Sequence, residues 1–286
     1  MTERKRPVPA CPAWLTEEQC LEMLGQWLLY SPEVRSAEQA LMGGHFPHSG
    51  TDLFADDLAT SPEQISHRIT SRIDVAADHI ESLRLNIFQE EQMAPPYAMF
   101  SLLRGAVESA ATACWLAFPA DAVTRRLRAL RVAHHEAKDH ETYVHHQMER
   151  NPNLPQPEGS PPTTAPKRLL EALQFNPAKN KLTYVEIMKD VDKEIQIVPG
   201  RAWWWEIENC WRLCSAMAHG RRWAQSTVLK MEIVSEPEQT QSVTARFTPS
   251  AQWLAWAIVH AVGMMDLALY RAQELGTRRD GQESTT

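Results

Sequence analysis

Residues 61–118, SPEQISHRITSRIDVAADHIESLRLNIFQEEQMAPPYAMFSLLRGAVESAATACWLAF, carry the pattern that decides the fold. Ile65, Ile69, Ile73, Ala76, Ile80, Leu83 and Ile87 recur at the spacing of one helix face. Ser61 before Pro62 reads as an N-cap with proline at the first helical position, so a helix is expected from there to about Gln92. Pro95-Pro96 break it, and a second helix follows from Tyr97 to Phe118. Its Leu103, Val107, Ala110, Ala111, Cys114 and Trp115 form a small-residue face that lets a neighbour approach closely, and Pro119 ends it. Connections this short join antiparallel neighbours, so the pair begins an up-and-down bundle.

The same period extends outward from this pair. Asp121 to Arg150 reads as a third long helix, with Val123, Leu127, Leu130, His134, Ala137, Glu141, Val144 and Met148 as the seam facing other helices. Upstream, Thr16 and Gln19 form a capping box for a helix that is expected to stop near Ser31-Pro32. A short helix from Glu33 to Met42 and a loop from His45 to Thr60 complete an accessory N-terminal layer, residues 1–60. Downstream, the proline-rich stretch 151–166 reads as an exposed connection or lid. Short helices at Lys167–Phe175 and, capped by Thr183 with Glu186, through Ile195 lead to Pro199-Gly200. One helix is expected over Ala202–Trp223, followed by a period-two hairpin at Thr227–Val234 and Ser242–Thr248. Thr248-Pro249 then starts a last helix to about Leu275, and the polar tail 276–286 is expected to be disordered. The sum is an all-α antiparallel bundle over residues 61–275, with the hairpin inserted at 226–248 before the C-terminal helix.

Composition bounds the function classes. A chain of 286 residues with 43% hydrophobic content can bury a sizeable core. Its formal net charge of -7 excludes a protein that is basic as a whole, so any RNA contact must be a local patch. Five cysteines in an odd set without CxxC spacing read as reduced, mostly buried thiols of a cytoplasmic protein. The start lacks the apolar stretch of a secretory signal. The most apolar run, Trp253 to Tyr270, holds His260 and Asp266 and reads as a core helix, so no membrane partner is expected.

The residues with most chemical promise lie on the expected helix AWWWEIENCWRLCSAMAHGRRW, 202–223. Arg212 and His219, seven positions apart, leave nearly the same face about 10 Å apart along the axis, and Gly220 suits the position just past a helix end. A histidine beside a fixed guanidinium is the equipment for acid/base cleavage of a phosphodiester, with Arg212 holding phosphate oxygens. That scheme needs no metal and no cofactor. Arg104 and Glu108, one turn apart on the second long helix, read either as a simple ion pair or as groups facing Arg212 across the bundle. Arg221 and Arg222, with Arg201, supply a local positive patch.

Arg212, six intervening residues and His219, late in a helical domain, resemble the Arg…His motif of the HEPN superfamily. The stretches LLRGAVESAATACWLAFPADAVTRRLRALR (102–131) and CSAMAHGRRWA (214–224) are also similar to a group of actinobacterial helical proteins. The resemblance implies an RNA-cleaving or RNA-binding protein of toxin or defence type, a homodimer, and a protein antitoxin or regulator as partner. It also implies a polar or acidic contributor on an earlier helix, for which Glu108 is the candidate. Leu213 stands where active members often carry a polar residue, so a binding-only relative fits the same pattern. The competing reading is a non-enzymatic helical binding or regulatory module in which these residues are structural.

The histidine-rich run 133–147 offers two ladders, His134 with Glu141 and His145, and His135 with Asp139 and His146. No second Glu-x-x-His faces them, so no metal is assigned. The run reads first as a solvated charged face; His134 and Glu141, turned inward by the seam, are its candidates for substrate binding, together with Arg104, Arg221 and Arg222. Trp203, Trp204, Trp205, Trp211 and Trp223 divide between core, interface and base stacking.

Overall fold

The first helix begins at the expected capping box, with Thr16 Oγ1 accepting from Gln19 N at 3.3 Å and Gln19 Oε1 accepting from Thr16 N at 2.9 Å. The chain is represented by a computed structural model that describes residues 15–89, 95–151, 164–177, 180–195, 206–235 and 244–277. Its elements are α1 (Glu17–Met42), α2 (Asp52–Thr60), α3 (Ile65–Gln89), α4 (Pro96–Ala117), α5 (Ala122–Arg150), α6 (Thr164–Ala172), α7 (Tyr184–Ile195), α8 (Ile207–Ala218), α9 (Arg222–Val228), β1 (Leu229–Ser235), β2 (Thr244–Pro249) and α10 (Ala251–Gly276). This is an all-α fold with one small antiparallel hairpin before the last helix.

Helix α1 runs straight through Pro32, where a break was expected. A proline has no N–H, so the carbonyl of Leu28 loses its helical donor. The Ser31 hydroxyl donates to that carbonyl at 2.9 Å, and Trp27, Leu28 and Val34 are buried on both sides of the proline. The segment expected as an accessory layer therefore shares the main core. α1 packs on α10 and α3, and Tyr30 donates its hydroxyl proton to Asp266 of α10 at 3.0 Å.

Part of the expected loop 45–60 is helix α2. Its buried side is Leu53, Asp56, Asp57 and Thr60, a face too polar to stand out as apolar periodicity. Asp56, fully buried, accepts from Arg125 Nε at 2.6 Å and Arg126 Nε at 2.7 Å. Asp57 accepts from the backbone N–H of Ser66 at 3.0 Å and from its hydroxyl at 2.5 Å. The start of α3 is thus capped from α2, and Ser61 is not its N-cap: the first turn begins four residues later, at Ile65.

Helix α4 is the middle of the molecule. It packs against α3, α10, α8, α7 and α5, and every residue from Ser109 to Ala117 is buried. The small-residue face expected there is what allows so many neighbours. α10 has the length and apolarity to cross a membrane, yet it lies buried against α1, α4 and α3. Residues 43–51 close onto its end: His48 N donates to Gly276 O at 2.8 Å, and a Cβ on Gly276 would lie 2.3 Å from the Phe46 ring.

The inward face of α5 differs from the expected seam. Asp121 caps the helix, accepting from Thr124 N at 2.7 Å. The buried stripe is Arg125, Arg128, Ala129, Leu130, Val132, Ala133 and Ala137, whereas Val123 is 59% exposed. Arg125 is held by Asp56, and Arg128 by Glu194 at 2.8 Å, with its guanidinium 4.8 Å from the Trp115 ring centroid. Paired arginines occupy the place an apolar seam would take.

Helix α7 begins as expected, with Glu186 N donating to Thr183 Oγ1 at 3.2 Å. Asp192 of α7 caps α8, accepting from Ile207 N at 2.8 Å and Glu208 N at 3.1 Å. The single helix expected over 202–223 is two. α8 ends at Ala218, Gly220 turns with φ +64°, and α9 restarts at Arg222. β1 pairs with β2 in a register that sets Met231 opposite Phe247 and Ile233 opposite Ala245. The strand expected from Thr227 starts at Leu229 because α9 runs to Val228, and the last helix starts after Ser250, one residue past Pro249. The proline-rich residues 152–163, the tryptophans 203–205, Arg201, Cys11 and the tail 278–286 lie outside the described residues. Cys20, Cys114, Cys210 and Cys214 are buried thiols outside any disulfide. Burial pushes the Cys114 and Cys210 thiols well up, which leaves them unreactive.

Candidate functional site

Two helices build the site. α4 presents Arg104 and Glu108 from its upper half, before its sides are fully enclosed, and α8 presents Trp211 and, at its end, His219. The α8 terminus has the hydrogen bonds of a Schellman motif: Gly220 N donates to Met217 O at 3.0 Å and Arg221 N to Ala216 O at 2.8 Å. Gly220 is required by that turn, because its positive φ suits a residue without a Cβ. His219 is the C-cap, with φ −95° and ψ 9°, so its side chain no longer follows the helical wheel.

Glu108 is the pivot. Its Oε1 accepts from Arg104 Nε at 2.9 Å and from Trp211 Nε1 at 2.7 Å, joining α4 to α8. Arg104 Nη1 in turn lies 2.9 Å from His219 Nε2. A guanidinium can only donate, so Nε2 is the acceptor and the ring proton of a neutral His219 sits on Nδ1. The Tyr184 ring of α7 lies 6.5 Å from that of Trp211, centroid to centroid. Burial pushes the Tyr184 phenol up, and the charge of Glu108 adds to it.

The other expected site residues fall in different places. Arg212, half exposed, donates through Nε and Nη2 to Glu208 Oε1 at 2.9 and 2.7 Å. Long helical side chains lean toward the N-terminus, which carries Arg212 back one turn instead of forward to His219. Its guanidinium lies 6.0 Å from the Trp211 ring centroid, so it borders the site without touching Arg104 or Glu108. Arg221 and Arg222 are exposed just past the turn.

His134 and Glu141 are not brought to His219. They line a groove of 1060 Å³ between α5 and α6, to which neither α4 nor α8 contributes a residue. Glu141 is exposed there instead of facing inward, because the seam of α5 is set by its arginines. Burial pushes the His134 imidazole down; Lys138, Lys167 and His135 act the same way, while Glu141 opposes them. In the ladders, His135 faces Asp139 at 3.4 Å, and His145 and His146 share Glu149. Among the described residues no group of three or more His, Cys, Asp or Glu is arranged to hold a metal ion.

Trp211 as a partner of Glu108, and Tyr184 beside it, are the members that sequence reasoning missed. Trp211 was legible only as one of several tryptophans to be divided between core, interface and base stacking. Comparison with known proteins found no matching family model, no matching curated protein and no matching solved structure.

Proposed function

We propose that the chain is a HEPN-like RNA-binding protein that cleaves phosphodiesters by metal-independent acid/base chemistry. The supporting observation is the 2.9 Å contact of Arg104 Nη1 with His219 Nε2, made between two helices at the surface. Nε2 is the base in this scheme. It takes the proton of a ribose 2′-hydroxyl, that oxygen attacks phosphorus, and the 5′-oxygen leaves with a proton returned by the imidazolium, giving a 2′,3′-cyclic phosphate. Arg104 shifts its free N–H groups from the imidazole to the phosphate oxygens, while Glu108 keeps the guanidinium in place. Arg212 joins by leaving Glu208, and Arg221 and Arg222 guide the polyanion in. On the same reading the protein works in the cytoplasm as a homodimer under the control of a protein antitoxin or regulator.

A second reading is favoured by one observation: Arg212 and Arg104 are both satisfied by glutamates on their own helices. A non-enzymatic binding or regulatory module would hold them so. Incubation of the purified protein with single-stranded RNA in EDTA decides between the two. Cleavage to cyclic-phosphate ends, lowered about 10²–10⁴-fold in His219→Ala, is the expected result. Equal cleavage by the variant and parent, or none by either, overturns the enzymatic reading.

A further inference from the structure

The face where α1 meets α3 holds a separate feature that owes nothing to the α4–α8 site. Glu38 is 5% exposed, yet its carboxyl makes no hydrogen bond or ion pair with any described residue. It lines an open pocket of 610 Å³ together with Gln39, Met42, His67, Thr70, Ser71 and Asp74. Arg35 bridges Asp74 at 3.3 Å and Asp78 at 2.7 Å, so one guanidinium already serves two carboxylates. The Arg35 charge also attracts the Glu38 carboxyl, but Arg35 forms its ion pairs with Asp74 and Asp78. A buried carboxylate in that position is costly unless it takes up a proton or a cation arrives from outside.

We propose that this pocket takes a primary ammonium group, held between Glu38 and Asp74. The donors and acceptors match: an ammonium has three N–H donors and no acceptor, while Glu38 and Asp74 offer carboxylate oxygens and His67, when neutral, a ring nitrogen. Thr70 has its hydroxyl proton committed to Ser66 O at 3.1 Å, which leaves its lone pairs to accept. Ser71 supplies a further hydroxyl, and Met42 a thioether wall for an alkyl stem. Burial, with the Asp74 charge adding to it and the Arg35 charge opposing it, pushes the Glu38 carboxyl up to about 7. No described group of three or more His, Cys, Asp or Glu offers a metal site here or elsewhere. The ammonium comes either from a free aliphatic amine or from a lysine side chain of a partner.

Titration calorimetry of the full chain at about pH 8, where Glu38 is ionised, tests this. The probes are butylamine, putrescine, the capped peptide acetyl-Gly-Lys-Gly-amide, and ethylguanidine. Saturable binding of an amine is expected, weakened at least tenfold in Glu38→Gln and in Asp74→Asn, a loss of the size of one charged hydrogen bond. Peptide binding at least tenfold tighter than butylamine assigns the ammonium to a partner lysine, and equal or weaker peptide binding assigns it to a free amine. Circular dichroism melts of both variants show whether they fold. No heat with any amine, equal affinity in folded Glu38→Gln and parent, or a preference for ethylguanidine overturns the proposal.

Discussion

Glu38 and Glu208 are two carboxylates whose neutralisation has opposite meanings. The Glu38 value of about 7 lies above its ordinary 4.5, so the stability linked to its neutral form is fully present below about pH 4.5 and is lost as pH rises through 7. Glu38→Gln is therefore expected to match the parent at pH 4.5 and, since solvent reaches the carboxyl and screens its charge, to gain on the order of 1 kcal/mol at pH 8.5. Urea unfolding at the two pH values measures it, and a pH-independent difference would refute the assignment. Glu208, in contrast, occupies a cation the proposed function needs. Glu208→Gln frees Arg212, and the expected outcome is RNA binding several-fold tighter at low salt, against several-fold weaker for Arg212→Ala. Fluorescence anisotropy with a labelled single strand reads both, and no change in either variant removes Arg212 from the RNA contact.

Between elements, a buried ion pair ties α2 to α5. Arg125 is 2% exposed and Asp56 fully buried, so Asp56→Ala leaves a guanidinium without its carboxylate. A loss of about 3–5 kcal/mol is expected, and Asp56→Leu with Arg125→Met should recover most of it in urea unfolding. A loss under 1 kcal/mol would show that the Pro119 and Ala120 carbonyls, at 3.0 and 2.9 Å, hold the guanidinium alone. That joint also explains what could be read in advance. Apolar periodicity located α3, α4 and α10, since their inward faces are aliphatic. It missed α2 and misplaced the seam of α5, since Asp56, Asp57, Arg125 and Arg128 count as polar in one dimension and pair only in three. It broke α1 at Pro32, because nothing in the pattern shows a serine hydroxyl replacing a missing N–H. In the candidate site, the Arg104–Glu108 pair and the turn at Gly220 were legible. The partner of His219 was not, because the wheel that set Arg212 beneath it ends one residue before His219.

For the molecule as a whole, the consequence of an enclosed α4 is mechanical. The lower half of that helix has a neighbour on every side, so its amides open only when the entire fold opens, and Arg104 and Glu108 stand on an immovable post. His219 stands on the opposite kind of support: a helix end whose last two bonds, from Gly220 and Arg221, can fray by themselves. Hydrogen–deuterium exchange of the free protein is expected to be slowest over 109–117 and fast at 219–221. Single-stranded RNA should slow exchange at 219–221 and leave 109–117 as it was; slowing spread evenly over both would contradict this picture. On the proposed function, a fixed jaw and a yielding jaw would divide the work, the post setting where a phosphate lies and the helix end setting when the imidazole closes on it.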